Sequence, residues 1–250
     1  MAKSVDRAVG IDIGGTGMKA GIVDLAKGEL LSDRVRIPTP DGAKPKDVLA
    51  TVKELLEKLG PDAADLPVGI CFPTIVKNGR TLSAANVSKK WLDFEADAFF
   101  EEGLGKPIHF VNDADAAGLA ELRFGGAKDQ QGLTILTTLG TGIGGAFLFN
   151  GQLVPNVEIG HLQWNGESIE KYAATSARER EGLSWEEWAG RLQEFYDHLE
   201  FLFSPDLILI GGGVSKNPEK FLPRIKTRAD IRVATHANNA GIIGAASLAL

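Results

Sequence analysis

The chain has one cysteine, Cys71, among its 250 residues. A single cysteine excludes an internal disulfide framework and any zinc site built from several cysteines, and it is typical of proteins of the reducing cytoplasm. Basic residues are also few, with 27 lysines and arginines against 33 acidic residues and a formal charge of -6. This balance argues against a general nucleic-acid-binding protein, which usually carries a net basic surface.

Long hydrophobic runs are absent as well. The most apolar stretch, 201–210, is broken by Ser204-Pro205-Asp206 and falls short of the roughly 20 apolar residues that span a bilayer. The chain does not open with a basic segment followed by an apolar one, so we expect no signal peptide and no membrane contact. Hydrophobic content of 44% predicts a globular protein of one large domain or two ordinary ones.

Glycine is abundant, with 30 residues, and glycine loops separate predicted strands in both halves of the chain. The first 40 residues indicate three strands, Arg7–Ile13, Met18–Asp24 and Glu29–Ile37, whose short connections make them antiparallel neighbours. Further elements are predicted in the following order: a helix at 46–59, strands at 68–72 and 108–111, a helix at 113–123, strands at 133–139 and 146–150, a helix at 184–203, a strand at 207–210 and a helix from 239 onward.

The segment Asp12-Ile13-Gly14-Gly15-Thr16-Gly17 lies between the first two predicted strands. Glycines let the backbone approach a ligand so that its N–H groups point at phosphate oxygens, and an adjacent aspartate can hold a metal ion or its waters. An ordinary glycine-containing turn explains the segment equally well when it is taken alone.

A second loop, Gly140 to Gly145, matches the dinucleotide fingerprint G-x-G-x-x-G. That fingerprint requires a helix after the loop, whereas Ala146–Gly151 is strand-like, so a dinucleotide site is not expected. The P-loop motif is absent too, because Thr16 follows Gly15 where a lysine would be needed. Two glycine hairpins suit a protein that holds a phosphate chain from both sides.

Asn112-Asp113-Ala114-Asp115 stands between a predicted strand and a predicted helix. Asn and Asp are preferred helix caps, and one of the two aspartates is expected to cap this helix. The presence of two phosphate-type loops favours a second interpretation, in which Asp113 is a general base that takes a proton from an attacking hydroxyl.

Glu158-Ile159-Gly160-His161, Asn86 and Glu170 are further candidates. Amide and carboxylate side chains bind sugar hydroxyls well, although such residues are also commonly solvated or capping. The residues around His109 and His198 indicate no role for either histidine.

Taken together and in this order, these segments resemble the ROK family of sugar kinases. The resemblance extends over nearly the whole chain and includes Gly211-Gly212-Gly213-Val214-Ser215. It implies an α/β, actin-like ATPase fold, with two RNase H-like lobes around a cleft. The small lobe would comprise 1–112, closed by the C-terminal helix at about 239–250, and the large lobe 113–238.

The resemblance also implies roles for individual residues. Asp113 would be the catalytic base on the sugar 6-hydroxyl, and Asp12 would hold Mg²⁺, through water. The sugar would be bound by Asn86, Asn112, Asp113, Glu158, His161 and Glu170. The phosphoryl donor would be bound by Asp12, Gly14, Gly15, Thr16, Gly17, Lys19, Thr138, Gly140, Thr141, Gly142, Gly211, Gly212 and Gly213. A homodimer is expected from the resemblance alone.

One departure from the family pattern is informative. Many members follow Glu-x-Gly-His with cysteines that bind a structural zinc, whereas 162–168 contains none here. We therefore expect no zinc, which leaves His161 to meet substrate. The chain resembles the zinc-less branch that phosphorylates glucose, in some members also mannose, from inorganic polyphosphate and in some also from ATP.

A polyanionic donor requires a local basic groove in an acidic chain. The candidate cations are Lys19, Lys89, Lys90, Arg123, Arg178, Arg180 and Lys216.

Three other functions remain open at this point. An ATP-dependent kinase of another hexose or of an N-acetylated sugar is the nearest alternative. A sugar-sensing repressor would carry a helix-turn-helix before the first strand, where only about six residues precede it here. A non-catalytic protein of actin-like fold would have little use for Asp113 beside a sugar-type Asn and Glu set.

Overall fold

The computed structural model describes residues 6–84 and 87–250. The chain forms two compact units, one comprising Met1–Ala120 with Asn239–Leu250 and the other Glu121–Asn238. The boundary between them falls inside one helix, and the lobe division at residue 112 given above stays a prediction. Within the described ranges, every helix lacks either the length or the apolar character that a bilayer span requires.

Sixteen strands and seven α-helices are present in the described residues. The strands are β1 Arg7–Ile13, β2 Met18–Asp24, β3 Glu29–Leu30, β4 Val35–Ile37, β5 Val68–Phe72, β6 Val76–Lys77, β7 Arg80–Thr81, β8 Phe94–Glu95, β9 Ile108–Asn112, β10 Leu133–Leu139, β11 Ile143–Phe149, β12 Gln152–Val154, β13 Gln163–Trp164, β14 Glu167–Ser168, β15 Leu207–Gly211 and β16 Asp230–Val233. The helices are α1 Pro45–Leu59, α2 Ala96–Leu104, α3 Asp113–Phe124, α4 Glu170–Ala173, α5 Thr175–Glu181, α6 Trp185–Phe203 and α7 Ala240–Ala246.

The first unit is built on a mixed sheet of order β3-β2-β1-β5-β9, with β4 also paired to β2. β1 and β2 are antiparallel, as their short connection predicts, whereas β1, β5 and β9 run parallel. The register places Asp12 beside Cys71, and Phe72 beside Asn112. Three neighbouring parallel strands therefore end together with Asp12, Cys71 and Asn112 at one edge.

The second unit repeats this arrangement in a sheet of order β12-β11-β10-β15-β16. β10 and β11 form an antiparallel hairpin, and β10, β15 and β16 are parallel. Thr138, near the end of β10, pairs with Gly211 at the end of β15. Each unit thus places a glycine hairpin next to the carboxyl ends of parallel strands, where α/β sheets commonly bind ligands.

Helix α7 packs against the first sheet at backbone distance. A Cβ atom added to Gly10 or to Gly69 would overlap the carbonyl oxygens of Ile242 and Ala245, respectively. Helix α7 also packs against α3, because a Cβ atom on Gly244 would overlap the Ala116 carbonyl oxygen. Glycine at these positions is required because the helix and its neighbours leave no room for a side chain.

The core of the first unit centres on Trp91, which is completely buried. Its ring lies 4.2 Å from that of Phe72 and 6.1 Å from that of Phe100. The indole Nε1 donates a hydrogen bond to the Ala43 carbonyl oxygen at 2.7 Å, so the buried donor is satisfied.

The structure differs from the predicted elements at three places. The strand predicted at Glu29–Ile37 is divided into β3 and β4, because Ser32 Oγ accepts the Ile22 N–H at 3.0 Å in place of a strand carbonyl. The residues between the strands predicted at 68–72 and 108–111, for which no element was predicted, contain α2 and the small sheet β6-β7-β8. β11 also begins at Ile143, within the glycine-rich segment, rather than at Ala146.

A buried carboxylate in α3 holds the segment that follows β16. Glu121 is inaccessible to solvent, and its Oε1 accepts the His236 backbone N–H at 2.9 Å and lies 3.0 Å from His236 Nδ1. Its Oε2 accepts the Gly126 N–H at 2.7 Å. Burial alone would raise the pKa of Glu121, but the hydrogen bonds from His236, Thr235 and Gly126 outweigh it and lower the pKa to about 2.

This pKa predicts an acid-sensitive contribution to stability. Since the folded pKa lies below the ordinary value of 4.5, the contribution is complete above that pH and is lost as the pH falls towards 2. Thermal midpoints measured from about pH 7 to about pH 3 should fall less steeply for Glu121→Gln than for the wild type. Glu102→Gln, at an exposed carboxylate, is the control, and a slope unchanged by Glu121→Gln would contradict the assignment.

Candidate active site

The first glycine loop, Gly14–Gly17, connects β1 to β2 and is held by its own carbonyl groups. Gly14 N donates to Gly17 O at 3.2 Å, which closes the turn. Thr39 Oγ1 donates to Gly14 O at 2.5 Å, and Arg36 Nη2 donates to Thr16 O at 3.2 Å. Because a peptide unit is planar and trans, the N–H groups of Gly15 and Gly17 point away from these donors.

The second glycine loop, which connects β10 to β11, is held in the same manner. Gly140 N donates to Gly142 O at 3.0 Å. From α5, Ser176 donates its backbone N–H to Gly140 O at 3.1 Å and its hydroxyl to Thr141 O at 2.5 Å. The N–H groups of Thr141 and Gly142 are therefore turned away from α5, the orientation that an anion site requires.

The segment Gly211–Gly213 lies beside the second loop. Gly212 has φ of 82°, and a Cβ atom there would lie 2.5 Å from the Leu139 carbonyl oxygen and 2.6 Å from its nitrogen. Both the backbone conformation and the close approach exclude any other residue. Ser215 Oγ donates to the Gly212 carbonyl oxygen at 2.7 Å and stabilises the turn.

Asn112, rather than an aspartate, caps helix α3. Its Oδ1 accepts the N–H groups of Ala114 at 2.8 Å and Asp115 at 3.1 Å, and its Nδ2 donates to the Thr74 carbonyl oxygen at 3.0 Å. The capping expected of an aspartate is thus carried out mainly by Asn112, the residue before the helix, and Asp113 Oδ1 also accepts the Ala114 N–H at 2.9 Å. Asp113 remains exposed at the start of the helix.

Asp12 lies two strands away from Asn112 on the same sheet, about 10 Å at the usual strand spacing. Its Oδ2 forms an ion pair with Lys19 Nζ at 2.8 Å, and its Oδ1 lies 3.7 Å from the Cys71 thiol. Burial, and then the negative charges of Asp12 and Asp113, raise the pKa of Cys71 well above its ordinary value. The thiol thus stays neutral beside two carboxylates.

In the second unit, His161 lies between two carboxylates. Its Nε2 is 3.8 Å from Glu158 Oε2 and its Nδ1 is 3.9 Å from Glu170 Oε1. The turn that carries His161 packs so closely on β11 that a Cβ atom on Gly160 would overlap the Ile143 carbonyl oxygen. Three of the predicted sugar-binding residues are thereby brought together.

Glu170 also connects this cluster to the second glycine loop. Its Oε2 accepts the Ile143 N–H at 3.2 Å, and a Cβ atom on Gly142 would overlap the same oxygen. One carboxylate thus contacts both the end of the predicted donor loop and the predicted sugar-binding histidine.

The remaining predicted residues have different surroundings. Asn86 lies outside the described residues. Arg180 is paired with Glu181 at 2.6 Å, whereas Lys89, Lys90 and Lys216 are exposed. Burial lowers the pKa of Arg123. Among the described residues, no three His, Cys, Asp or Glu side chains are grouped so that they could hold a metal ion.

Sequence reasoning missed the side chains that hold the loops, namely Thr39, Arg36 and Ser176. These side chains act by donating hydrogen bonds to backbone carbonyl groups. Every residue has a backbone carbonyl group, so the partners leave no signal in the sequence. The only signal was position, since Thr39 follows the end of β4 and Ser176 stands in the first turn of a short helix.

Comparison with known proteins identifies the family. The model of the ROK family matches residues 8–176, which is more than half of the chain. The chain belongs to the ROK family. The site residues assigned above through the resemblance are therefore family expectations for this chain, and their individual roles stay predictions.

Several relatives are similar over nearly the whole chain. Polyphosphate glucokinase from Mycobacterium tuberculosis is 41% identical over 238 residues, covering 95% of this chain and 89% of that protein. The polyphosphate glucokinase of Mycobacterium leprae is 40% identical over 241 residues, covering 96% of this chain and 74% of that protein.

Among solved structures, inorganic polyphosphate/ATP-glucomannokinase from Arthrobacter sp. strain KM is 49% identical, with a TM-score of 0.93 and coverage of 97% of this chain and 98% of that one. A ROK family glucokinase from Streptomyces griseus, in complex with glucose and AMPPNP, has a TM-score of 0.82 at 24% identity, covering 97% of this chain and 98% of that chain, and shows a shared fold. The α/β fold of the ROK sugar kinases, predicted from the sequence, is confirmed.

Proposed function

We propose that this ROK protein is a polyphosphate-dependent glucokinase. It transfers the terminal phosphoryl group of inorganic polyphosphate to the 6-hydroxyl of glucose, and it accepts ATP as a second donor and mannose as a second acceptor. The observation that supports this most strongly is 49% identity across 97% of the chain to a polyphosphate/ATP-glucomannokinase. Two glycine loops with outward-turned N–H groups suit such a donor.

Asp113 is proposed as the general base. Its carboxylate is exposed at the start of α3, where its Oδ1 accepts the Ala114 N–H at 2.9 Å, while Asn112 caps the helix. As the sugar oxygen bonds to phosphorus and the bond to the departing polyphosphate breaks, the hydroxyl proton passes to Asp113. Glucose would be held by Asn86, Asn112, Asp113, Glu158, His161 and Glu170.

The phosphate groups would be held by the two loops and the Gly211–Gly213 segment. Backbone N–H groups fixed by Thr39 and Ser176 need no reorganisation when charge develops on the phosphoryl oxygens, which is the basis of electrostatic stabilisation. Lys19, which is paired with Asp12, supplies positive charge next to the first loop.

Mg²⁺ fits the first loop through Asp12. One carboxylate with phosphate oxygens and waters is the usual ligand set of this ion, and Asp12 Oδ1 faces the neutral Cys71 thiol rather than the ammonium group that pairs with Oδ2. When bound, Mg²⁺ offsets phosphate charge. We further propose a cytoplasmic homodimer, since the only cysteine is a free thiol and α6 exposes 81% of Phe201 and 45% of Leu202.

A donor comparison tests the function. Purified protein with glucose and Mg²⁺ should form glucose 6-phosphate from long-chain polyphosphate, with a kcat/KM at least equal to that for ATP at matched phosphoryl concentration. Formation of product from ATP alone would refute the polyphosphate assignment and favour the ATP-dependent hexokinase alternative. Absence of product with either donor would refute the glucokinase assignment itself.

A further inference from the structure

Two cationic side chains lie over the indole ring of Trp185, the first residue of α6. Arg178 Cζ lies 3.9 Å from the ring centroid, and Lys220 Nζ lies 5.2 Å from it. The first comes from α5 and the second from the turn Pro218–Lys220. In the part of the chain that the structure describes, neither cation is among the ion pairs with carboxylates.

Two acidic residues close in sequence to Arg178 and Trp185 have other partners. Glu181 is paired with Arg180 and Arg191, each at 2.6 Å. Glu187 accepts the N–H of Ser184 at 2.8 Å and its hydroxyl at 2.7 Å, in the capping box of α6. These two carboxylates are therefore engaged away from Arg178 and Lys220, whereas Glu179, Glu186 and Glu219 are exposed neighbours in the sequence and belong to none of the ion pairs of the described residues.

The cluster is held in place by packing. The Trp185 ring stacks on Phe221, with an interplanar angle of 18°, and meets the Trp188 ring edge-on, with centroids 5.8 Å apart. Both partner rings are completely buried. Arg178 is half-buried and its Nε is covered without a hydrogen-bond partner, so a phosphate would be met by the Nη groups of this guanidinium.

Arg178 comes from the helix that contacts the second glycine loop, and Lys220 follows a segment that packs against the end of β10. Ser176, two residues before Arg178, donates its N–H to Gly140 O and its hydroxyl to Thr141 O. Lys220 follows the segment Gly211–Lys216, in which Gly212 packs against the Leu139 backbone. The positive charge is thus placed on the same unit as the proposed donor loop and on its supporting elements.

We propose that Arg178 and Lys220, supported by Trp185, bind the part of a polyphosphate chain that extends beyond the loop Gly140–Gly142. This inference rests on the proposed function for the identity of the donor. Arginine binds phosphate oxygens in a bidentate manner and lysine as a point charge, so the pair suits a continuous polyanion. ATP ends in a nucleoside after three phosphates and offers no such extension.

Equilibrium binding of polyphosphate tests the proposal. For Arg178→Gln/Lys220→Gln, the Kd of long-chain polyphosphate should rise about tenfold or more and depend less steeply on salt, because two charged contacts are lost. The Kd values of tripolyphosphate and of ATP should stay within about twofold of the wild type. Lys53→Gln/Lys128→Gln, which removes the same charge at exposed sites, should leave all these values unchanged.

The outcomes separate this site from the proposed function. Wild-type affinity of the double variant for long-chain polyphosphate would overturn the site, and Lys220→Gln alone, at a turn, should give an intermediate Kd if the double variant folds poorly. A wild-type protein that binds long-chain polyphosphate through this pair, but transfers no phosphoryl group to glucose, would overturn the function and leave the site standing. Failure of the wild type to bind polyphosphate would overturn both.

Discussion

Asp113→Asn should lower kcat by about 10²–10⁴-fold, the usual contribution of a positioned general base. Asparagine keeps the size and polarity of the side chain but cannot accept the proton of the sugar hydroxyl. Because Asn112 caps α3, the substitution leaves the helix start intact. The Kd of glucose should therefore stay within about threefold, and steady-state kinetics with an equilibrium titration of glucose measure both quantities.

Asp47→Asn is the matched control for this prediction. Asp47 is likewise an exposed aspartate in the first turn of a helix, α1, so it shares the interaction with the helix dipole but not the proposed chemistry. Its variant should retain wild-type kcat. A kcat for Asp113→Asn within tenfold of the wild type would show that another group accepts the proton.

Gly69→Ala should destabilise the protein by about 3 kcal/mol or more. The added Cβ atom would overlap the Ala245 carbonyl oxygen, and neither the central strand β5 nor helix α7 can move without disturbing the core between them. Forced overpacking commonly costs about 1–3 kcal/mol, and more where the obstacle is backbone. The midpoint of denaturant unfolding, followed by circular dichroism, should fall accordingly.

Gly190→Ala provides the opposite expectation. This glycine lies in the middle of α6 and is exposed, and a Cβ atom added to it would meet no other atom within 4 Å among the described residues. Alanine there should raise the free energy of unfolding by about 0.5–1 kcal/mol, through its better helix propensity. If Gly69→Ala were as stable as the wild type, α7 would not pack at backbone distance.

Local patterns predicted the hairpins of both units well. Short glycine connections between apolar runs specify antiparallel neighbours, and β1, β2 and β10 were found with the predicted bounds. The neighbours of β5 and β15 could not be derived in this way. Parallel pairing joins segments far apart in the chain, and no local pattern specifies which strand lies next to which.

Site residues could be predicted where the type of side chain determines its chemistry. They could not be predicted where the role depends on the position of the residue in the fold. Glu158, His161 and Glu170 were singled out by their polar side chains, and the structure brings them together. The capping role of Asn112 was assigned to an aspartate, since the sequence offers three capping residues in four positions. Ser176 was missed because its function is to hold a carbonyl group, which leaves no compositional signal.

The glycine contacts of α7 also bear on the order in which the chain folds during synthesis. Gly10 and Gly69 leave shallow backbone surfaces on the first sheet, and the backbone of α7 packs into them at Ile242 and Ala245. The ribosome must complete Glu121–Asn238, an entire unit, before that helix is translated. The first unit to be started is therefore the last to be finished, with one face of its sheet uncovered in the meantime.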